Sequence, residues 1–311
     1  MKASEFLRKA KSAPGILALQ GIKKSFDFWQ RLGLHVTPNH YYEPIPDTRK
    51  LGSRLWQSPS ALVGIDMRED QQLAFLDSIR AYREEYSAFP VGMTDIPYQY
   101  YLSNRSFGSV DAEILYCMIR HHKPRRIFEI GSGFSTYLSA QALLANQSEG
   151  GHLGELVAFE PYPSHVLRQG FPGLTSLVPT PIERIPLEEF NRLQSGDILF
   201  IDSSHVLRIG SDVQYEYLEV LPRLNPGVLI HVHDIFMPAE YPEKWVKEYH
   251  IFWSEQYLLQ AFLMFNDSFE VLWGGSYMSI RHPQQLSEAI PSYRPDKVTP
   301  GSFWMRRRDR G

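Results

Sequence analysis

From about residue 110 onward, short apolar runs alternate with longer stretches whose apolar side chains recur every three or four positions. The runs "RIFEI", "ELVAFE", "TSLVPT", "DILFID", "GVLIHVH", "FEVLWGG" and "SFWMRR" read as seven strands. Between them, "DAEILYCMIRHH", "STYLSAQALLAN", "SDVQYEYLEVLPRL" and "SEQYLLQAFLMFN" carry helical spacing, with serine as a capping residue at helix starts. Alternation of this kind predicts an α/β fold, a doubly wound and mostly parallel sheet. The preceding part differs in texture: a Pro- and Tyr-rich stretch, "TPNHYYEPIPDTRKL", is followed by an amphipathic pattern, "REDQQLAFLDSIRAYREEY". The expected organisation is an N-terminal helical and loop-rich cap over residues 1–107 and one α/β domain over residues 108–311.

Composition narrows the possibilities. Hydrophobic residues make up 43% of 311, with 18 Phe and 17 Tyr, enough to bury ~75% of the unfolded chain's surface in a single core. The formal net charge of -3 gives no general attraction to nucleic acid or to an anionic membrane surface. The basic run "RRRDR" near the end reads as a solvated tail. A single cysteine, Cys117, rules out a disulfide within the chain and falls in an apolar helical pattern, as a packed core thiol would. In the first residues the apolar run "GILAL" is short and soon followed by lysines, so neither a signal peptide nor a membrane span is expected, and the expected location is cytoplasmic.

The stretch "RRIFEIGSGFST" carries the first chemical signal. "RIFEI" ends at Gly131 and a helix begins near Ser135, which puts Gly131, Ser132 and Gly133 in a strand-to-helix turn at the carboxyl edge of the sheet, where open α/β sheets bind ligands. A dinucleotide fingerprint would place a third glycine where Thr136 stands. Glu129, a carboxylate beside the turn, suits a cationic group such as an amino acid ammonium better than a pyrophosphate. Together these features point to S-adenosylmethionine.

In "FEIGSGFST", "VAFEP", "DILFIDSSH" and "HVHDIF" the chain resembles the class I S-adenosylmethionine-dependent methyltransferases, close to a bacterial small-molecule O-methyltransferase branch, from about Asp111 to Arg307. The resemblance implies a Rossmann-like sheet of seven strands. It implies that Glu129, Gly131, Ser132 and Gly133 contact the methionine part of the cofactor. Glu160, 31 residues after Glu129, would bind the ribose hydroxyls, which a carboxylate can accept in pairs. In metal-dependent members an acid after the fourth strand, and an acid with its neighbour after the fifth, hold Mg²⁺. Asp202 and Asp234 match these positions, with His233 as the neighbour. Imidazole there suits a transition metal better than Mg²⁺.

The expected chemistry lies at the ends of the fourth and fifth strands, where "DSSH" and "HVHD" face one edge. Transfer to oxygen needs an acceptor held in line with the sulfonium and a group to take its proton. Asp202, His205 and Asp234 are the candidates, with Asp202 also near the cofactor and His205 as the base; a hydrogen-bonded structural histidine is the alternative at that position. His231 shares a face with His233 but lies deeper, as a core histidine would. The aromatics of "NHYYEPIPD" and "DIPYQYYLSNRSF" are either a lid over the acceptor or ordinary loop packing. The expected partner is a small-molecule methyl acceptor, with no nucleic acid and no membrane, and a homo-oligomer is left open. Two other classes compete: a nicotinamide-dependent oxidoreductase, disfavoured by Glu129 and Thr136, and a non-catalytic module that keeps the fold, disfavoured by the acids and histidines gathered at two strand ends.

Overall fold

The structure, a computed structural model, describes residue 21 and residues 24–309. The leading "GILAL" run and the last residue of the basic tail lie outside the described residues.

All seven expected strands form one sheet: β1 (Arg126–Ile130), β2 (Glu155–Phe159), β3 (Ser176–Val178), β4 (Ile198–Ile201), β5 (Leu229–Val232), β6 (Phe269–Gly274) and β7 (Phe303–Arg307). Their order is β3-β2-β1-β4-β5-β7-β6. The first five are parallel, while β7 runs antiparallel to both of its neighbours. The chain therefore reverses its winding between β1 and β4, and that switch point opens a crevice at their carboxyl ends. Side chains alternate by the period of two: Ile127, Ile198 and Phe200 enter one apolar layer, Phe128, Leu199 and Ile201 the other. Glu129 is thereby turned to the same face as Ile127.

That face is covered by α1 (Glu69–Ser78), α2 (Asp111–His122) and α3 (Phe134–Ser148). Ten consecutive residues of α2, from Asp111 to Arg120, are buried. The N-terminal part of the chain covers its outer side: Leu76, Ile79, Tyr86, Tyr100 and Phe107 belong to the same apolar cluster as α2. A buried cation ties the two together. Arg120 donates through Nε to Glu85 Oε2 at 2.8 Å and also pairs with Glu149 on the far side. Burying a guanidinium is costly unless its donors are matched, and here Glu85, Glu149 and Asn146 match them.

The other face carries α4 (Glu255–Leu263) and an irregular helix after β4. "SDVQYEYLEVLPRL" does not form one α-helix. Asp212–Tyr215 is α-helical, Glu216–Val220 widens into a π turn, and Leu221–Arg223 tightens to 3-10 around Pro222, which has no N–H to continue the ladder. The π turn leaves Glu216 and Tyr217 fully buried toward the sheet edge. Among the described residues no helix is long and apolar enough to cross a membrane.

Candidate active site

Gly131 is the hinge of the turn after β1. Its φ is +77°, and a Cβ there would lie 1.9 Å from the carbonyl oxygen of Asp202. Two backbone bonds close this junction, Gly131 N–H to Phe159 O at 3.0 Å and Asp202 N–H to Ile130 O at 2.9 Å. The close approach that requires glycine is thus to the neighbouring strand. Gly133 is extended at φ -177°, and a Cβ on it would meet nothing within 4 Å.

Glu129 has no exposed surface. Its Oε1 accepts from Ser135 Oγ at 2.6 Å and Thr136 Oγ1 at 2.9 Å, and Thr136 Oγ1 in turn accepts from Gly133 N–H. Burial raises its pKa to about 8, against the pull of those two hydroxyls. Its Oε2 is buried without a hydrogen-bond partner among the described residues. A buried acid with one unmatched oxygen beside a glycine turn fits an incoming ammonium group. Glu160, just past β2, accepts from Ser132 N–H at 3.2 Å and from Tyr162 N–H at 2.7 Å. Gly131, Glu160 and Asp202 line one cleft of about 590 Å³, with Phe159, Ile182, Tyr162 and Ile209 as apolar surface.

The loop after β4 is pinned residue by residue. Ser203 Oγ donates to Glu216 Oε2 at 3.0 Å, and Ser204 Oγ donates to Asp212 Oδ1 at 2.6 Å. His205 sits at φ +59° and Asp234, past β5, at φ +54°, so two non-glycine residues are held left-handed at this edge. His205 Nε2 lies 3.2 Å from Asp202 Oδ1 and 3.6 Å from Asp234 Oδ2, while Nδ1 lies 2.9 Å from Glu255 Oε2. The backbone repeats the link to α4, because His205 O accepts from Ser254 and Glu255 N–H at 2.9 and 3.1 Å. Burial works against a charged imidazole, but the hydrogen bonds to Asp202 and Glu255 outweigh it and hold the His205 pKa well above its ordinary value. For Asp202, burial is outweighed by His233 and His205, and its pKa is lowered; for Asp234 burial prevails and the pKa is raised.

Ligand-capable atoms of Asp202, His205 and Asp234 all lie within 4.8 Å of one another. The metal set expected from the sequence has His233 in the place that His205 takes in this group. The His233 ring is buried against Phe107 at 4.9 Å, with Nε2 3.9 Å from Asp234 Oδ1. His231 is fully buried, stacked on Phe200 at 4.1 Å, with no partner for either ring nitrogen among the described residues. Asp202 faces the smaller cleft, whereas Asp234 and His233 face a second cavity of about 1130 Å³. That second cavity is lined by residues from 91–109 and by Trp245 and Trp253. The three-residue cluster therefore stands at the junction of two cavities.

A methyltransferase-domain family matches residues 128–235, the span from β1 past β5. Over 176 residues the chain is 30% identical to an uncharacterized protein of Archaeoglobus fulgidus, covering 54% of this chain and 78% of that protein. The chain belongs to the methyltransferase-domain family. Its sheet is that of the class I enzymes, and S-adenosylmethionine is the methyl donor expected of such a domain. In this methyltransferase the residue that sequence reasoning missed is Glu255. It lies on the buried stripe of α4 with Leu259 and Leu263, four and eight residues on. An acid at the head of an apolar stripe was the available signal.

Proposed function

We propose that this methyltransferase moves a methyl group from S-adenosylmethionine to a hydroxyl oxygen of a small molecule, with a divalent cation held by Asp202, His205 and Asp234. The observation that carries the reading is the position of those three side chains between a cleft that reaches the glycine turn and a larger cavity walled by residues 91–109.

In this reading Glu129 receives the ammonium of the donor, Ser132 and Gly133 leave room for its methionine part, and Glu160 accepts from its ribose hydroxyls. Tyr162 and Ile209, exposed at the cleft rim, offer flat apolar surface for a base. When bound, the donor would supply an electrophilic methyl on a sulfonium and leave as S-adenosylhomocysteine, and the cation would supply a Lewis acid that eases loss of the acceptor's hydroxyl proton to solvent. Asp234 orients the acceptor from the larger cavity. His205 is held by Glu255 so that Nε2 faces both aspartates, and in the ligand-free protein it carries a proton. That proton and a divalent cation compete for the same carboxylates, because two acids so close need a positive charge between them. Without a cation, His205 becomes a base only after losing that proton. Of the N-terminal region, the part from Val91 to Ser106 serves as a wall of the acceptor cavity.

The test is methyl transfer from labelled donor to a panel of hydroxylated acceptors, with and without exhaustive chelation. Asp234→Asn should lower turnover about a hundredfold or more, the cost of a lost transition-state contact of ~2.7 to 4 kcal/mol. Activity that survives chelation while Asp202→Asn and His205→Ala are dead removes the cation and leaves acid–base catalysis. Near wild-type turnover in all three variants would sink the site.

A further inference from the structure

The larger cavity has an uneven charge distribution. Arg105, Lys244, Arg294 and Lys297 all line it, contributed by three separate segments of the chain. The acids on its wall are Asp111 and Asp234. Asp111 is already matched, accepting from Gly301 and Ser302 N–H at 2.9 Å each, and Asp234 belongs to the cluster with His205. Some arginines elsewhere are matched by carboxylates: Arg68 and Arg306 by Glu270, Arg120 by Glu85, Arg126 and Arg192 by Glu155. Those at the cavity are not. Among the described residues none of the four cations is paired with a carboxylate; Arg294 donates to the carbonyls of Pro291 and Tyr293, and Lys244 lies over the Tyr249 ring at 5.2 Å. Arg105 is moreover held at φ +68°, a left-handed conformation that a non-glycine residue adopts only under constraint.

We propose that the methyl acceptor is an anion: a hydroxylated compound with an apolar or aromatic body whose carboxylate or phosphate group sits among Arg105, Lys244, Arg294 and Lys297. This rests on the methyl-transfer reading above. Trp245, Trp253 and Phe236 form the apolar wall for the body, and Trp253 packs on His205 with ring centroids 4.3 Å apart, so an acceptor lying along that wall reaches Asp234 at its hydroxyl end. Guanidinium groups suit the anionic end because their paired donors match two oxygens at once. The four cations are exposed at the cavity, while Asp111 and Asp234 on its wall are engaged elsewhere, so an anionic group on the acceptor supplies the counter-charge that the cavity offers room for.

Calorimetry on the full chain tests this with three probes: benzoate, phenyl phosphate and neutral benzamide, at low ionic strength, with and without S-adenosylhomocysteine. At least one anion should bind tenfold or more tightly than benzamide, with a margin that shrinks as salt is added. Whichever anion wins identifies the group carried by the acceptor. Arg105→Gln/Arg294→Gln should remove most of the margin while S-adenosylhomocysteine affinity stays within twofold; the single variants serve the same comparison if the double variant does not fold. Equal binding of the anions and benzamide, no saturable anion binding, or a margin that persists in the variants overturns the proposal. Failure to bind S-adenosylhomocysteine at all would overturn the methyl-transfer reading instead, and the probe comparison made without it still decides the anion site.

Discussion

The carbonyl oxygen of Asp202 occupies the space that a side chain on Gly131 would need, 1.9 Å from the ideal Cβ position. The turn after β1 and the end of β4 are therefore built as one unit, and the residue that begins the candidate site on β4 is fixed by a glycine on its neighbour. Gly131→Ala should destabilise the protein by more than about 3 kcal/mol, because the left-handed backbone costs an L-residue ~1–2 kcal/mol and the overlap forces the strands apart. Denaturant unfolding measures this. A variant as stable as the parent would contradict the geometry.

Gly133 answers to a different constraint. Its backbone is extended and a Cβ would enter open space, so Gly133→Ala should fold with stability within about 1 kcal/mol of the parent. If the donor occupies that space, its dissociation constant should rise about tenfold or more, as a methyl clash of ~1–3 kcal/mol implies. Unchanged affinity by calorimetry would remove Gly133 from the cofactor contacts.

The seven strands were legible because each is a short apolar run bounded by turn residues, and the parallel core follows from the helices between them. Harder to read was what covers α2: its helical spacing says nothing of the outer layer that Leu76, Tyr86 and Phe107 bring from far along the chain. The break at Glu216 was also hidden, since Pro222 marks only its end. Asp202, His205 and Asp234 could be named from strand-end position alone. Which histidine stands between the two aspartates was decided by left-handed turns at His205 and Asp234 and by Glu255 on a helix fifty residues away. Periodicity does not encode such contacts.

Glu255 acts through His205 and is a positioning residue. Glu255→Gln keeps the size of the side chain but removes the charge that faces Nδ1, so affinity for Mn²⁺ or Mg²⁺ should fall about 10- to 100-fold, the usual cost of disturbing a ligand's outer hydrogen bond. Titration calorimetry at one pH, with Glu255→Asp as the charge-preserving comparison, reads this directly. If both variants bind metal like the parent, His205 does not depend on Glu255.

Glu129 and Glu113 are both buried acids with raised pKa values, about 8 and about 7, and desolvation is the main cause of each. In the unfolded chain both ionise near 4.5. A carboxyl whose folded pKa is raised contributes its stability fully below the unfolded pKa and loses it as pH climbs toward the folded one. Stability should therefore fall between pH 4.5 and 8, by about 3 to 5 kcal/mol for each group. Glu129→Gln and Glu113→Gln should each flatten that slope. The slope is the quantity to compare, since a buried amide N–H without an acceptor costs ~1–3 kcal/mol at every pH. The two variants should part on ligand binding. Glu113 lies on α2 and accepts from Ser292 Oγ, which lines the larger cavity and not the cleft at the glycine turn, so its variant should bind S-adenosylmethionine like the parent. Glu129→Gln should bind it at least tenfold more weakly, because the amide cannot release a proton to meet an ammonium. Urea midpoints across pH 5 to 9, paired with calorimetry on the donor, measure both effects. Equal donor affinity in the two variants would detach Glu129 from the cofactor and leave its burial a purely structural cost.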